Sequence, residues 1–216
     1  MKEVLNIILL GPQGSGKGTQ AKLLVKNFNL KHIEIGRALR KISKKQTDLG
    51  IRVANIINQG NMVPIPMVSE IVEHELKNVS PKKGIIFDGT PRRIGEIKSL
   101  NENLDKHERE ITHVFFISIS EKESIKRLQK RKICKKCGTP FIIGKTIKRD
   151  ETVCPKCKGE VVIRKDENKE AIKQRLKLYH KKTDPVIDYY KNKGKLIKIN
   201  GEQSINKVYQ DIISYL

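Results

Sequence analysis

The 216-residue chain has no tryptophan, only five tyrosines and five phenylalanines, and few acids, 24 against 45 Lys plus Arg. It also lacks an apolar run near the roughly 18–20 residues that cross a bilayer, so no membrane span is expected. The scarcity of aromatics leaves few platforms on which nucleic-acid bases could stack. The acid deficit sets a formal net charge of +21, which favours polyanionic partners. Lysines run along the whole length instead of forming a basic arm, so charge alone leaves nucleotide and nucleic acid both open. Met1-Lys2-Glu3 leads into a short apolar stretch at 4–10. Glycines and Lys17 follow it where a secretory signal would have a small-residue cleavage site, so a cytoplasmic protein is expected.

A chain of this length suits one main domain with a small insert. Short β-rich runs alternate with amphipathic stretches, the pattern of a parallel α/β sheet. Strands are predicted at 4–10, 32–35, 84–88, 113–118 and 195–200, and helices at 16–27, 36–42, 49–59, 66–77, 121–131, 168–180, 184–192 and 204–215. From about 132 to 165 the alternation breaks into turn residues and short β-like runs, which reads as an inserted module.

Ile7-Ile8-Leu9-Leu10 feeds into Gly11-Pro-Gln-Gly-Ser-Gly-Lys17-Gly18-Thr19-Gln20. Apolar strand, glycine-rich turn and helix start are the setting a phosphate loop requires. Its N–H groups converge on phosphate oxygens, the helix dipole adds attraction, and Lys17 reaches the β- and γ-phosphates. The general motif has Ser or Thr straight after the lysine, whereas here Gly18 intervenes and Thr19 carries the hydroxyl. The loop points to nucleotide binding without separating a kinase from an ATPase.

All four cysteines lie in the inserted module, as Cys134-x2-Cys137 and Cys154-x2-Cys157. That spacing matches a four-thiolate zinc site, closed and therefore structural. Gly138 and Gly159 follow the two knuckles and are expected to permit their turns. Disulfides are the rival pairing, disfavoured in a reducing cytosol. Iron could also sit among four thiolates.

The run at 11–20 resembles the phosphate loop of the adenylate kinase family. Ile35-Gly36-x3-Arg40, Asp88-Gly89-x-Pro91-Arg92, Arg127-x3-Arg131, Arg164-x-Asp166 and Arg175 match that family in order, over essentially the whole chain. The resemblance implies a P-loop NTPase-like core with a five-stranded parallel sheet flanked by helices, spanning 1–33, 64–131 and 166–216. It further implies a helical segment at 34–63 for a nucleoside monophosphate and a zinc-ribbon-like lid at 132–165, in a protein that is by default a monomer. The implied reaction moves the γ-phosphoryl of ATP to an acceptor, with magnesium held through water by Asp88. Gly14, Ser15, Gly16, Lys17, Gly18, Thr19, Arg131 and Gln203 are then expected around ATP. Ile35, Gly36, Arg40, Met62, Val63, Gly89, Arg92, Glu96, Arg164 and Arg175 are expected around the acceptor. Lys17, Arg92, Arg127, Arg131, Arg164, Asp166 and Arg175 are expected to act on the phosphoryl in flight, because that step is mainly positioning and charge stabilisation. Arg127 and Arg131 are read as sharing one helix face.

The acceptor pocket departs from the family pattern. Ile35-Gly36-Arg37 stands where Ser/Thr-Gly-Asp is usual, Thr90 replaces an aromatic, and Glu96 falls where adenylate kinases have an adenine-reading glutamine. Glu96 can accept from an exocyclic amine but not donate, or it is simply solvated at a helix start. AMP is favoured as acceptor, with GMP or a pyrimidine monophosphate as alternatives. A nucleic-acid-associated NTPase using Lys135, Lys136, Lys156 and Lys158 gives no role to the spaced arginines, and an inactive nucleotide-binding relative gives none to the retained catalytic groups.

Overall fold

The computed structural model describes residues 4–144, 146–163 and 168–216. Five strands, β1 (Asn6–Leu10), β2 (Lys31–Glu34), β3 (Ile85–Asp88), β4 (His113–Ser118) and β8 (Leu196–Asn200), form one sheet in the order β2-β3-β1-β4-β8. Every pairing is parallel. Parallel strands need covered faces, and the side chains answer in alternation. Ile8, Leu10, Ile33, Phe87 and Val114 face one layer, and Ile7, Leu9, Ile86, Phe115 and Ile117 face the other. The first layer includes α4 (Ile65–Lys77), α5 (Ile94–Asp105) and α8 (Asp184–Asn192), and the second includes α1 (Lys17–Phe28) and α9 (Ile205–Ile213). β1 is therefore central and buried on both sides, with the chain crossing to opposite flanks around it. That is where open α/β sheets bind ligands, beyond the carboxyl ends of their strands.

Two shorter helices, α2 (Ile35–Ile42) and α3 (Asp48–Asn58), make the segment between β2 and α4. After α6 (Glu121–Gln129), the strands β5 (Arg131–Cys134), β6 (Pro140–Ile142) and β7 (Val161–Val162) form a second, antiparallel sheet in the order β6-β5-β7. α7 (Lys169–Lys182) returns the chain to the core. A Cβ at Gly60 would lie 2.6 Å from the Ala171 carbonyl, so glycine there lets the end of the α3 segment close on α7.

Three expectations need correction. The helix α5 is not predicted from the sequence, although Ile97, Leu100 and Leu104 line its buried face. Ile35 begins α2 and does not end β2. Arg127 and Arg131 do not share a helix, because α6 stops at Gln129 and Arg131 pairs with Ile142 in the smaller sheet. Hairpin pairing with the next strand overrides a helical i,i+4 spacing.

Arg109 is 7% exposed, and its guanidinium meets neutral oxygens: Asn6 Oδ1 at 3.2 Å, Lys83 O at 3.0 Å and Ser80 O at 2.6 Å. It staples the start of β1 to the turn that precedes β3. Arg109→Ala should lower unfolding free energy by about 2–3 kcal/mol, since several buried acceptors lose their donor at once. The shift in denaturant midpoint measures it.

Candidate functional site

The loop after β1 is shaped by three glycines in the left-handed region, Gly11, Gly14 and Gly16 at φ of 143°, 77° and 100°. Space is also limiting, because a Cβ at Gly11 would strike the Ile117 carbonyl. Gly16 caps α1 without a side-chain bond, which leaves the N–H groups of Lys17 and Gly18 at the helix start to face an anion. From α6, Ser124 Oγ donates to Gln13 O at 2.6 Å and fixes the outer rim of the loop. Gln20 lies on the buried side of α1 and donates from Nε2 to Ile205 O at 3.0 Å, so it ties that helix to α9.

Lys17 Nζ donates to Gly11 O at 2.6 Å and Pro12 O at 2.8 Å, with Ser15 Oγ at 3.4 Å. Burial of the ammonium pushes its pKa down to about 8; Asp88 works against this, while Arg92 and Arg131 add to it. Asp88 ends β3, and its Oδ2 would sit 3.4 Å from a Cβ at Gly18, over the first turn of α1. Burial raises its pKa, but His32, Lys17 and Arg92 prevail and hold the carboxyl below the usual range. His32 Nε2 lies 3.7 Å from Asp88 Oδ2, beyond hydrogen-bond length but next to the carboxylate. Nothing in the sequence singles out His32, since only the pairing of β2 with β3 brings it there.

The arginines divide by location. Arg92 lies over Gly89, where a Cβ would come within 2.9 Å of Nη2, and Arg40 lies over Gly36 at 3.0 Å from Nη1. Arg40 also pairs with Glu34 at 3.1 Å. Arg127 bonds Glu123 at 2.8 Å, Gly14 O at 3.2 Å and Gly201 O at 3.0 Å, which joins α6, the phosphate loop and the turn after β8. Beyond that turn, Gln203 Nε2 is directed to Asp211 Oδ2 at 2.8 Å. Arg131 is near enough to Lys17 to depress its pKa, and Arg175 Cγ packs on Gly60. Arg164 and Asp166 lie outside the described residues.

Around the expected acceptor, Ile35 and Val63 are buried at 2% and 3% exposure. Glu96 is not solvated: it is 4% exposed and is held by Thr90, the Arg92 N–H and Arg93. Arg93 is a second residue that sequence reasoning passes over. Among so many basic side chains nothing marks it out until α5 sets it one turn from Glu96.

In the smaller sheet the four cysteine sulfurs lie within 4.8 Å of one another. Cys134 and Cys157 Sγ are 3.4 Å apart, and Cys137 and Cys154 Sγ are 3.8 Å apart, both far beyond disulfide length. Four thiolates at ~2.3 Å from a tetrahedral metal stand about 3.8 Å apart, so the cluster fits such an ion. Left-handed residues turn both knuckles, Gly138 at φ 66° and Lys158 at φ 58°. Gly159 serves by being small, since a Cβ there would lie 3.0 Å from Cys134 Sγ. Lys22 Nζ reaches from α1 to Gly138 O at 3.5 Å, so the first knuckle leans on the helix that begins at the phosphate loop.

A sequence model of the family described as adenylate kinase matches residues 9–195. An adenylate kinase of Fervidobacterium nodosum is 35% identical over 212 residues, covering 98% of this chain and 97% of that one. One from Bacillus cytotoxicus is 38% identical over 208 residues, 96% of each chain. One from Methanocella arvoryzae is 36% identical over 208 residues, again 96% of each chain.

Lys17 generates a pH prediction. With its pKa lowered to about 8, the folded ligand-free protein binds fewer protons than the unfolded chain between about 8 and 10.5, so stability should rise with pH across that window. A polyphosphate beside the ammonium raises its pKa again, so binding near pH 8 should take up protons. Calorimetry in two buffers of different ionisation enthalpy measures the uptake; equal heats would mean that Lys17 is already fully charged.

Proposed function

The chain belongs to the adenylate kinase family, and we propose that it is the phosphotransferase that converts ATP and AMP into two ADP. The observation that carries this reading is the meeting of Lys17, Asp88 and Arg92 at the carboxyl ends of β1 and β3. An ATPase needs the loop and the carboxylate, but not a second set of arginines over Gly36 and Gly89.

In this reading the triphosphate lies in the loop, received by the N–H groups of residues 14–19 and by Lys17. Arg127 and Arg131 stand on the donor side, with Gln203 beyond Gly201. Arg40 and Arg92 take the acceptor's phosphate, since a guanidinium can hold two of its oxygens at once. Ile35, Gly36, Met62, Val63, Gly89 and Glu96 surround the acceptor's nucleoside. Arg175, together with Arg164 and Asp166, completes the set expected to surround the transferring group. An acceptor phosphate oxygen attacks the γ-phosphorus, and the bond to the β–γ bridging oxygen breaks. Charge spreads over the equatorial oxygens in between, and fixed cations stabilise it most where water is excluded.

Magnesium, when bound, neutralises phosphate charge, and Asp88 is the carboxylate placed to hold it through water. Zinc is the ion assigned to Cys134, Cys137, Cys154 and Cys157, where it would supply folding energy to a module with a small core of its own. A reduced thiolate site and an ATP-dependent reaction both suit the cytoplasm. Among the described residues, no helix is long and apolar enough to cross a membrane. We retain a monomer as the working unit, since one chain carries every residue assigned to both sites.

A coupled assay of ADP formation tests the reaction. AMP should be turned over, and Arg92→Ala should lower kcat/KM by about two to three orders of magnitude without loss of fold. A near-normal rate in that variant would remove Arg92 from the acceptor site. For the lid, elemental analysis should find about one zinc per chain. Cys134→Ala should release it and lower an early thermal transition while the core sheet melts as before. An unchanged melting profile after verified metal loss would deny the ion a structural role.

A further inference from the structure

The Glu96 carboxylate is already full. Its Oε2 accepts from the Arg92 N–H at 2.8 Å and from Thr90 Oγ1 at 3.2 Å. Its Oε1 accepts from Arg93 Nε at 2.9 Å and lies 2.7 Å from Arg93 Nη2. A carboxylate offers about four lone-pair sites, so no acceptor remains here for the amino group of a base. Arg93 is held from a second side too, because Nη2 donates to Val63 O at 2.7 Å. Among the described residues, Nη1 and its two hydrogens have no partner. The guanidinium side is therefore fixed between Glu96 and Val63, and the edge left over only donates.

Adenine puts a donor, its 6-amino group, beside each of the ring acceptors N1 and N7. A 6-oxopurine presents two adjacent acceptors, O6 and N7, to the donor that Nη1 leaves open, with no amino hydrogen beside them to oppose it. We propose that Arg93 is a specificity-determining residue of the acceptor site, and that its donor-only edge admits 6-oxopurine monophosphates such as GMP as a second acceptor class beside AMP. This rests on the reading of Val63 and Glu96 as part of the acceptor pocket. The step itself is unchanged: an oxygen of the GMP phosphate bonds to the γ-phosphorus, the bridging bond to ADP breaks, and GDP and ADP leave.

The test measures kcat/KM with ATP and each of AMP, GMP and IMP, for the wild type, Arg93→Lys and the double variant Arg93→Ala/Glu96→Gln. The double variant removes both charges together, so no buried carboxylate is left unpaired, and a thermal melt confirms folding. Arg93→Lys keeps the charge but loses the planar fork. The expected result is measurable GMP and IMP phosphorylation by the wild type. In both variants the GMP-to-AMP ratio of kcat/KM should fall by tenfold or more. A purely structural ion pair would leave that ratio in place. The proposal is overturned if the wild type turns over AMP but neither oxopurine, or if the ratio survives in the double variant. Turnover of GMP without AMP would sustain Arg93 as the selector and reject AMP as the acceptor, and turnover of neither would reject both.

Discussion

A lysine ammonium must be kept charged and aimed in a place that resists charging it. Lys17 is enclosed among the carbonyls of Gly11 and Pro12, with Arg92 and Arg131 adding repulsion and Asp88 offsetting part of it. Such a group keeps its position only if the backbone around it cannot relax. The sheet supplies that rigidity. β1 is paired on both edges and covered on both faces, so the loop leaves a strand that has no freedom to shift. Ser124 and Arg127 then brace the loop from α6. The cost of gathering like charge is met by apolar burial at about 25 cal/mol per Å², remote from the phosphates.

The same logic separates the core from its two inserts. The segment between β2 and α4 packs two short helices against the large apolar cluster, with Leu39 and Val53 buried, and needs no metal. The smaller sheet buries little beyond Phe141, Ile147, Val161 and its cysteines. A cluster of that size cannot offset the entropy of ordering its own loops, whereas four thiolates on one ion can. Contacts of Lys22 on α1 with Gly138 and of Gln174 on α7 with Asn61 tie each insert to a helix of the core.

On the acceptor side, the structure turns a difficulty into a distinct local chemistry. Glutamate in place of an amide-bearing side chain would leave a buried carboxylate, which needs several donors. Thr90, which stands where an aromatic is usual, supplies one of them, and Arg93 supplies the countercharge. The two substitutions are therefore linked through one oxygen atom, and neither has a clear meaning by itself in the sequence.

Much was legible in the linear chain because it rests on local rules. The phosphate loop needs glycines at fixed spacing before a lysine, the strands alternate in burial, and paired Cys-x2-Cys knuckles bring thiolates together over a few residues. Gly11, Lys17 and the four cysteines follow from such patterns, whereas Asp88 is reached only through the family resemblance. The sequence could not show that Arg131 sits on a strand and not a helix, that His32 stands beside Asp88, or that Arg93 clamps Glu96 to Val63. Each of these depends on which strands pair or which helix packs on which, and a chain with 45 basic residues marks none of its arginines in advance. Sequence determined where phosphate and metal can be held, because those sites are built from neighbours in the chain. Tertiary structure alone decided which distant groups meet, as His32 with Asp88 across paired strands and Arg93 with Val63 O ahead of α4, because such partners are selected only when the elements pack.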